Sequence, residues 1–180
     1  MKKSIILLLS VLFISSCQFL KKEKVVTIED KYSISLPGFL VEAGITLNQE
    51  ASLEYMNAFM EFYVMVIDEP KSNIEKVLID YELADLYPNN LKGYSELILD
   101  GLKQAVIVSQ ESDVVDTVIN GLPARLLTIN GTVEGIDIFY SLAYIEGKER
   151  YYQIFTWTLS EKETEYRDKM STILYSFKEL

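Results

Sequence analysis

Histidine is absent from this chain of 180 residues, and cysteine occurs once, at Cys17. The first absence removes Ser-His-Asp and Cys-His catalysis, since each needs an imidazole as general base. It also argues against zinc, whose sites are built mainly from Cys and His. With a single cysteine no internal disulfide is possible, so the fold must rely on its core. Basic residues are scarce too: 17 Lys and Arg stand against 27 Asp and Glu, a formal net charge of −10. Nucleic-acid binding needs the opposite balance, with Lys and Arg clustered to meet phosphates. No S-x-x-K, G-x-S-x-G, G-x-G-x-x-G or P-loop pattern occurs, and Gly93-Tyr94-Ser95-Glu96-Leu97 lacks the second glycine of a nucleophile elbow. The apolar run from Ile5 to Ile14 is ten residues long, well short of the roughly 20 that a membrane-spanning helix needs.

That short run has a definite context. Lys2 and Lys3 precede it, and Ile14-Ser15-Ser16-Cys17 closes it. A basic start, a brief apolar stretch and small residues before a cysteine are the layout of a bacterial lipoprotein signal. Cleavage is expected after Ser16, which removes residues 1–16 and leaves Cys17 to carry a diacylglycerol, with a third acyl chain on the new amino terminus. One chain anchors only marginally, whereas two or more hold stably. The expected location is therefore the bacterial cell envelope, lipid-anchored, with the outer membrane favoured. Residues 17–30 are read as the lipidated N-terminus, a tether and a first strand, and residues 31–180 as one globular domain. Either the tether lysines rest against anionic headgroups, each worth on the order of 1 kcal/mol there, or the segment is a plain solvated linker.

Periodicity outlines the domain. Tyr32 to Leu36 alternates as a strand, with Val25 to Ile28 as its hairpin partner across Glu29-Asp30-Lys31. Ala51 to Ile67 reads as two strands turning near Asn57 to Met60. Ser72-Asn73 can cap a helix carrying Ile74, Val77, Leu78 and Tyr81. Asn89-Asn90 can cap a second, striped by Tyr94, Leu97, Ile98, Gly101, Leu102 and Ala105. Val114 to Ile119 turns at Asn120-Gly121 into Ala124 to Ile129, and Asn130-Gly131 supplies a second turn. Ile136 to Ile145 and Tyr151 to Leu159 are apolar on both faces, as strands in the middle of a covered sheet are. Ser160-Glu161-Lys162-Glu163 is a capping box that launches a helix with Tyr166, Met170, Ile173, Leu174 and Phe177 on one face. The fold class that follows is α+β, a central antiparallel sheet flanked by helices.

Acid pairs such as Asp113/Asp116, Glu134/Asp137 and Asp80/Glu82/Asp85 match no calcium loop and are expected as solvated surface. Rings offer the better lead. Tyr140, Tyr144, Tyr151, Tyr152, Phe155 and Trp157 concentrate in two paired strands. Either they fill the core beneath the helices or several stand exposed as one patch, since Tyr and Trp are enriched where proteins meet partners. The candidate binding aromatics are Tyr140, Tyr144, Tyr151, Tyr152 and Trp157.

Four segments carry a family resemblance: Tyr32-Ser33-Ile34-Ser35-Leu36-Pro37, Ile119-Asn120-Gly121-Leu122-Pro123-Ala124, the strand led by Tyr151-Tyr152, and Ile173-Leu174-Tyr175-Ser176-Phe177-Lys178. In these the chain resembles the PsbP/Mog-like superfamily, including its bacterial lipoprotein members of unknown function. The resemblance implies an α/β/α sandwich over Tyr32 to Lys178. It also implies a binding or assembly role, as in photosystem subunits, a Ran-binding protein and effector chaperones, and it supplies no catalytic set. The expectation is a non-enzymatic, lipid-anchored envelope module without cofactor, metal or catalytic residues. Its partners would be the membrane, through the lipid, and a protein of the envelope, with no nucleic acid. The alternatives are a carboxylate-dependent enzyme acting on a glycan or lipid, and a small-molecule carrier.

Overall fold

The computed structural model describes residues 22–180, so the expected signal, its cleavage site and Cys17 lie outside the described residues. The chain runs β1 (Lys24–Ile28), β2 (Tyr32–Leu36), β3 (Val41–Glu42), β4 (Ala51–Asn57), β5 (Phe62–Pro70), α1 (Lys71–Asp80) and α2 (Leu91–Ala105). It continues through β6 (Ile107–Glu111), β7 (Val115–Ile119), β8 (Leu122–Val133), β9 (Ile136–Glu146), β10 (Arg150–Leu159), α3 (Glu163–Tyr175) and β11 (Lys178–Glu179). The large sheet has the order β3-β4-β5-β10-β9-β8-β6, and β7 also pairs with β8. Its pairings are antiparallel. A smaller sheet, β1-β2-β11, joins the two ends of the domain.

Strand period and burial explain the layers. β9 and β10 lie in the middle of the large sheet and are apolar on both faces, so both faces must be covered. One face packs against α3 and the small sheet, around Tyr32, Ile34, Phe62, Phe139, Tyr152, Ile154, Met170 and Phe177. The other packs against α1 and α2, around Ile74, Leu78, Tyr94, Leu99, Leu127, Leu142, Tyr144 and Tyr151. The α+β sandwich expected from periodicity is the observed architecture. Among the described residues, no helix is long and apolar enough to cross a membrane.

Several local expectations are corrected. Asn130-Gly131 is not a turn: β8 runs through it to Val133, and the hairpin turns at Glu134-Gly135, whose φ values are 50° and 83°. Gly131 serves close approach instead, since a Cβ there would meet Val106 Cγ1 at 2.5 Å and the Ile107 carbonyl oxygen at 2.9 Å. Asn120-Gly121 does turn, with φ values of 47° and 90°. β6 was not foreseen; it pairs with β8 at this same glycine, Val108 opposite Gly131.

Helix starts differ as well. α1 begins at Lys71 without a side-chain cap, because the Lys71 N–H donates to the Glu149 carbonyl in the β9–β10 turn, at 3.0 Å. Asn90 does cap α2, its Oδ1 accepting from the Gly93 N–H at 3.1 Å. The buried side of α2 is Leu91, Tyr94, Ser95 and Leu99, while Gly101 and Ala105 face solvent. The Ser160 capping box does not form. Ser160 to Lys162 is a 3-10 turn, and the Ser160 hydroxyl instead reaches Asn130 Oδ1 at 3.2 Å.

Candidate functional site

The structure does not bring the five predicted rings together. Adjacent residues of a strand face opposite sides of the sheet, so Tyr152 parts from Tyr151 at once. Tyr152 is enclosed on the α3 side between Tyr32 and Phe177, at centroid distances of 5.6 and 4.7 Å, and its hydroxyl donates to Glu179 at 3.0 Å. Tyr144 and Tyr151 lie on the other face beneath α2, where Tyr94 stacks on Tyr151 at 4.3 Å and meets Tyr144 edge-on at 6.3 Å. All three are core residues. Tyr94 also donates to Glu69 at 2.8 Å, and Gln153 Nε2 donates to the same oxygen at 2.8 Å. Burial, then the Glu69 charge and hydrogen bond, push the Tyr94 phenol up.

Tyr140 and Trp157 are different: both are half-buried, and they belong to one row. Register sets Trp157 opposite Tyr63 of β5 on one side and Tyr140 of β9 on the other. Trp157 stacks on Tyr63 at 5.1 Å with planes 8° apart and meets Tyr140 at 6.4 Å. The Tyr63 hydroxyl donates to Glu61 at 2.8 Å. Burial, reinforced by that bond and charge, pushes the Tyr63 phenol up to about 12. Tyr63 was missing from the predicted site. Its signal was the alternation Tyr63, Met65, Ile67, but only the β5–β10 register places it beside Trp157.

The row borders an apolar groove of about 460 Å³. Met65, Ile67 and Phe155 form its floor and Ile98 and Leu102 of α2 one wall, with Gln153 and Asn48 as the polar groups. Such a surface, apolar with few polar points, is suited to binding. A second cavity, of about 430 Å³, lies on the other side of α2 around Arg125, Ser95, Glu96, Asp100 and Tyr144. Arg125 Nε donates to Asp116 at 3.0 Å, and its Nη1 donates to Ser95 at 2.5 Å and to the Lys92 carbonyl at 3.1 Å. The buried Tyr144 hydroxyl has no hydrogen-bond partner among the described residues. Burial, then the Glu111 charge, push its phenol up.

Among the described residues, the acids lining these two cavities, Glu96 and Asp100, lie on the Arg125 side together with Lys103, and the groove itself is lined by no acid. Glu96 lies 3.8 Å from Arg125, and Asp100 accepts from the Tyr87 hydroxyl at 2.8 Å. Asp137 accepts from Thr132 at 2.7 Å. Among the described residues, no cluster of three acidic or other ligating side chains is placed to hold a metal ion.

No family model and no curated protein sequence matches the chain. Solved structures do. The solution structure of cyanobacterial PsbP (CyanoP) from Synechocystis sp. PCC 6803 is similar at a TM-score of 0.56 and 8% identity, over 88% of this chain and 92% of that one. LpqN of Mycobacterium tuberculosis, described as involved in cell envelope biogenesis, is similar at 0.56 and 11%, over 88% and 90%. With so little shared sequence, these likenesses speak to fold. The molecule is an antiparallel α+β sandwich with helices on both sides of its large sheet. Within that class it has the PsbP-like fold, as the sequence resemblance implied.

Proposed function

We propose that this chain is a non-enzymatic, lipid-anchored binding or scaffolding module of the bacterial envelope, with the outer membrane as its favoured site. The observation that carries the reading is the open row Tyr63–Trp157–Tyr140 beside an apolar groove. The parts of these half-buried rings that remain in water lose the stabilisation that full burial would give them, about 25 cal/mol per Å². A partner that covers them recovers it. The lipoprotein-type signal ending at Cys17 supports the anchor. The fold neighbour described as involved in cell envelope biogenesis is consistent with the compartment.

Two measurements test this. Cys17→Ser should leave the domain folded but stop lipidation and signal removal; a mutant processed and membrane-bound like the parent refutes the anchor. Cross-linking in the native envelope should retain one complex with the parent chain and lose it with Trp157→Ala. Retention by both forms removes the row from the binding surface. Turnover of a glycan or lipid, with no complex retained, reverses the choice in favour of an enzyme. A small-molecule carrier is the second reading. The groove's volume favours it, since it lies within the range of ligand sites.

A further inference from the structure

We propose that the end of the molecule bearing the β4–β5 turn is held against the membrane, with Phe59 inserted among the lipid acyl chains. The inference rests on Cys17 carrying the lipid, as proposed above. Chain geometry then limits the orientation. Cys17 is five residues from Lys22, and a chain extends at most about 3.6 Å per residue, so the lipidated residue lies within about 18 Å of Lys22. Whatever part of the surface surrounds Lys22 is therefore kept close to the headgroups.

Contacts trace that surface to Phe59. The Lys22 carbonyl packs on Gly38. The next residue, Phe39, accepts at its carbonyl from Asn57 Nδ2 at 2.9 Å, and its ring meets Phe62 at 5.7 Å. Asn57 and Phe62 are paired as the two ends of the β4–β5 turn. Phe59 sits at the tip of that turn and is 100% exposed, and Val41, opposite Met56 in β4, is 61% exposed. One apolar residue in water is ordinary. A fully exposed phenylalanine on the turn beside the tether's origin has an obvious solvent in the bilayer that the tether keeps near.

Charge decides the character of the contact. Lys24 and Lys162 flank the turn, but both ammonium groups are engaged with backbone carbonyls, Lys24 with Leu40 at 2.7 Å and Lys162 with Met60 at 3.2 Å. Glu61 is in the turn itself, and Glu134 and Asp137 lie at the same end of the sheet, beside Val133 and Ile136. Apart from Lys21 and Lys22 of the tether itself, the end is not a basic patch. The contact is apolar, and neutral phosphatidylcholine should support it without anionic lipid. Tyr63, the first member of the open row, is only four positions from Phe59, so the groove opens close to the bilayer surface.

The test uses the full chain, expressed in a bacterial host with its own signal and reconstituted into phosphatidylcholine vesicles. In a Trp157→Phe background, a Phe59→Trp probe is compared with a Val118→Trp probe at the opposite end of the sheet, where Val118 pairs with Pro123 beside the Asn120-Gly121 turn. Insertion by about 5–10 Å brings a side chain to the level of the acyl chains. Bromine on those chains should then remove at least half of the Phe59→Trp emission and leave the Val118→Trp emission unchanged. Flotation of the vesicles reports the anchor independently. A chain that floats with the Phe59→Trp probe unquenched, or with both probes quenched alike, overturns the orientation while keeping the anchor. A chain that does not float overturns the anchored reading and the orientation with it.

Discussion

Trp157 lies flat on Tyr63 across the β5–β10 pair, the ring centroids 5.1 Å apart and the planes 8° from parallel. Trp157 is the sole tryptophan, so its emission reports the surroundings of this row. Tyr63→Ala uncovers one face of the indole and should shift its emission to the red. The change should cost about 1 kcal/mol, the size of a cross-strand aromatic pair. Trp157→Ala removes the centre of the row and should cost about 2 kcal/mol by lost burial. Fluorescence and urea unfolding check both. An unshifted spectrum in Tyr63→Ala means that the two rings are not stacked in solution.

Gly131 and Gly135 are four residues apart and are needed for different reasons. Gly135 has a positive φ of 83° and nothing within 4 Å of where its Cβ would be, so Gly135→Ala should cost about 1 kcal/mol through backbone strain alone. At Gly131 the obstacle is steric, Val106 Cγ1 and the Ile107 carbonyl. Gly131→Ala should cost about 2 kcal/mol, as overpacking does. Adding Val106→Ala should recover part of that loss at Gly131 and none at Gly135. Denaturant unfolding of the two double variants separates the mechanisms, and equal recovery at both sites refutes the distinction.

Alkaline pH should unfold the domain through its buried phenols. Burial is the largest cause that raises Tyr32, Tyr94, Tyr144 and Tyr152 above the ordinary value of 10.0. The unfolded chain therefore releases these protons first as pH climbs. The stability they carry is intact below pH 10 and falls above it, by about 1.4 kcal/mol per pH unit for each phenol still protonated in the fold. Tyrosinate absorbance should rise in one cooperative step together with loss of circular dichroism. A gradual rise with the fold intact contradicts the assignment. The acid side has an opposite contribution from Glu163. Burial opposes its ionisation, but hydrogen bonds from Arg167 and Asn130 outweigh burial and lower its value. Its share of stability is present above the ordinary carboxylate range and is lost as pH falls through the lowered value.

Local signals in the sequence carried much of this fold. Alternation located β2, runs apolar on both faces located β9 and β10, Asn90 announced the start of α2, and the stripe Tyr166, Met170, Ile173, Leu174 marked the buried side of α3. What failed was long-range. Asn120-Gly121 and Asn130-Gly131 are the same dipeptide in similar surroundings, and only the approach of Val106 and Ile107 makes the second a strand. The capping box at Ser160 lost its serine to Asn130, thirty residues earlier. For the site, period two already required Tyr151 and Tyr152 to face opposite sides. Which face stays open was not legible, because it depends on where α2 crosses the sheet. Tyr144 and Tyr151 lie beneath that crossing, and Tyr140 and Trp157 lie beyond it.

Asp68 offers the last test, since it joins the small sheet to the large one. Its carboxylate is 2% exposed, with Lys31 Nζ 3.0 Å and Arg150 Nη2 2.5 Å from Oδ2. Arg150 approaches outside hydrogen-bonding geometry and donates instead to the Asp68 carbonyl at 3.1 Å. The two cations keep 36% and 27% of their side chains in water, so they can rehydrate when the acid is lost. Asp68→Ala should therefore cost about 3 kcal/mol, the low end for breaking a buried pair. Lys31→Ala should cost less than about 1 kcal/mol, because its ammonium is half solvated and Arg150 remains to face the carboxylate. Urea unfolding of the two variants reads the asymmetry. Equal losses would mean that the link from Lys31 across the two sheets, and not the Asp68–Arg150 pair within the large sheet, carries the stability.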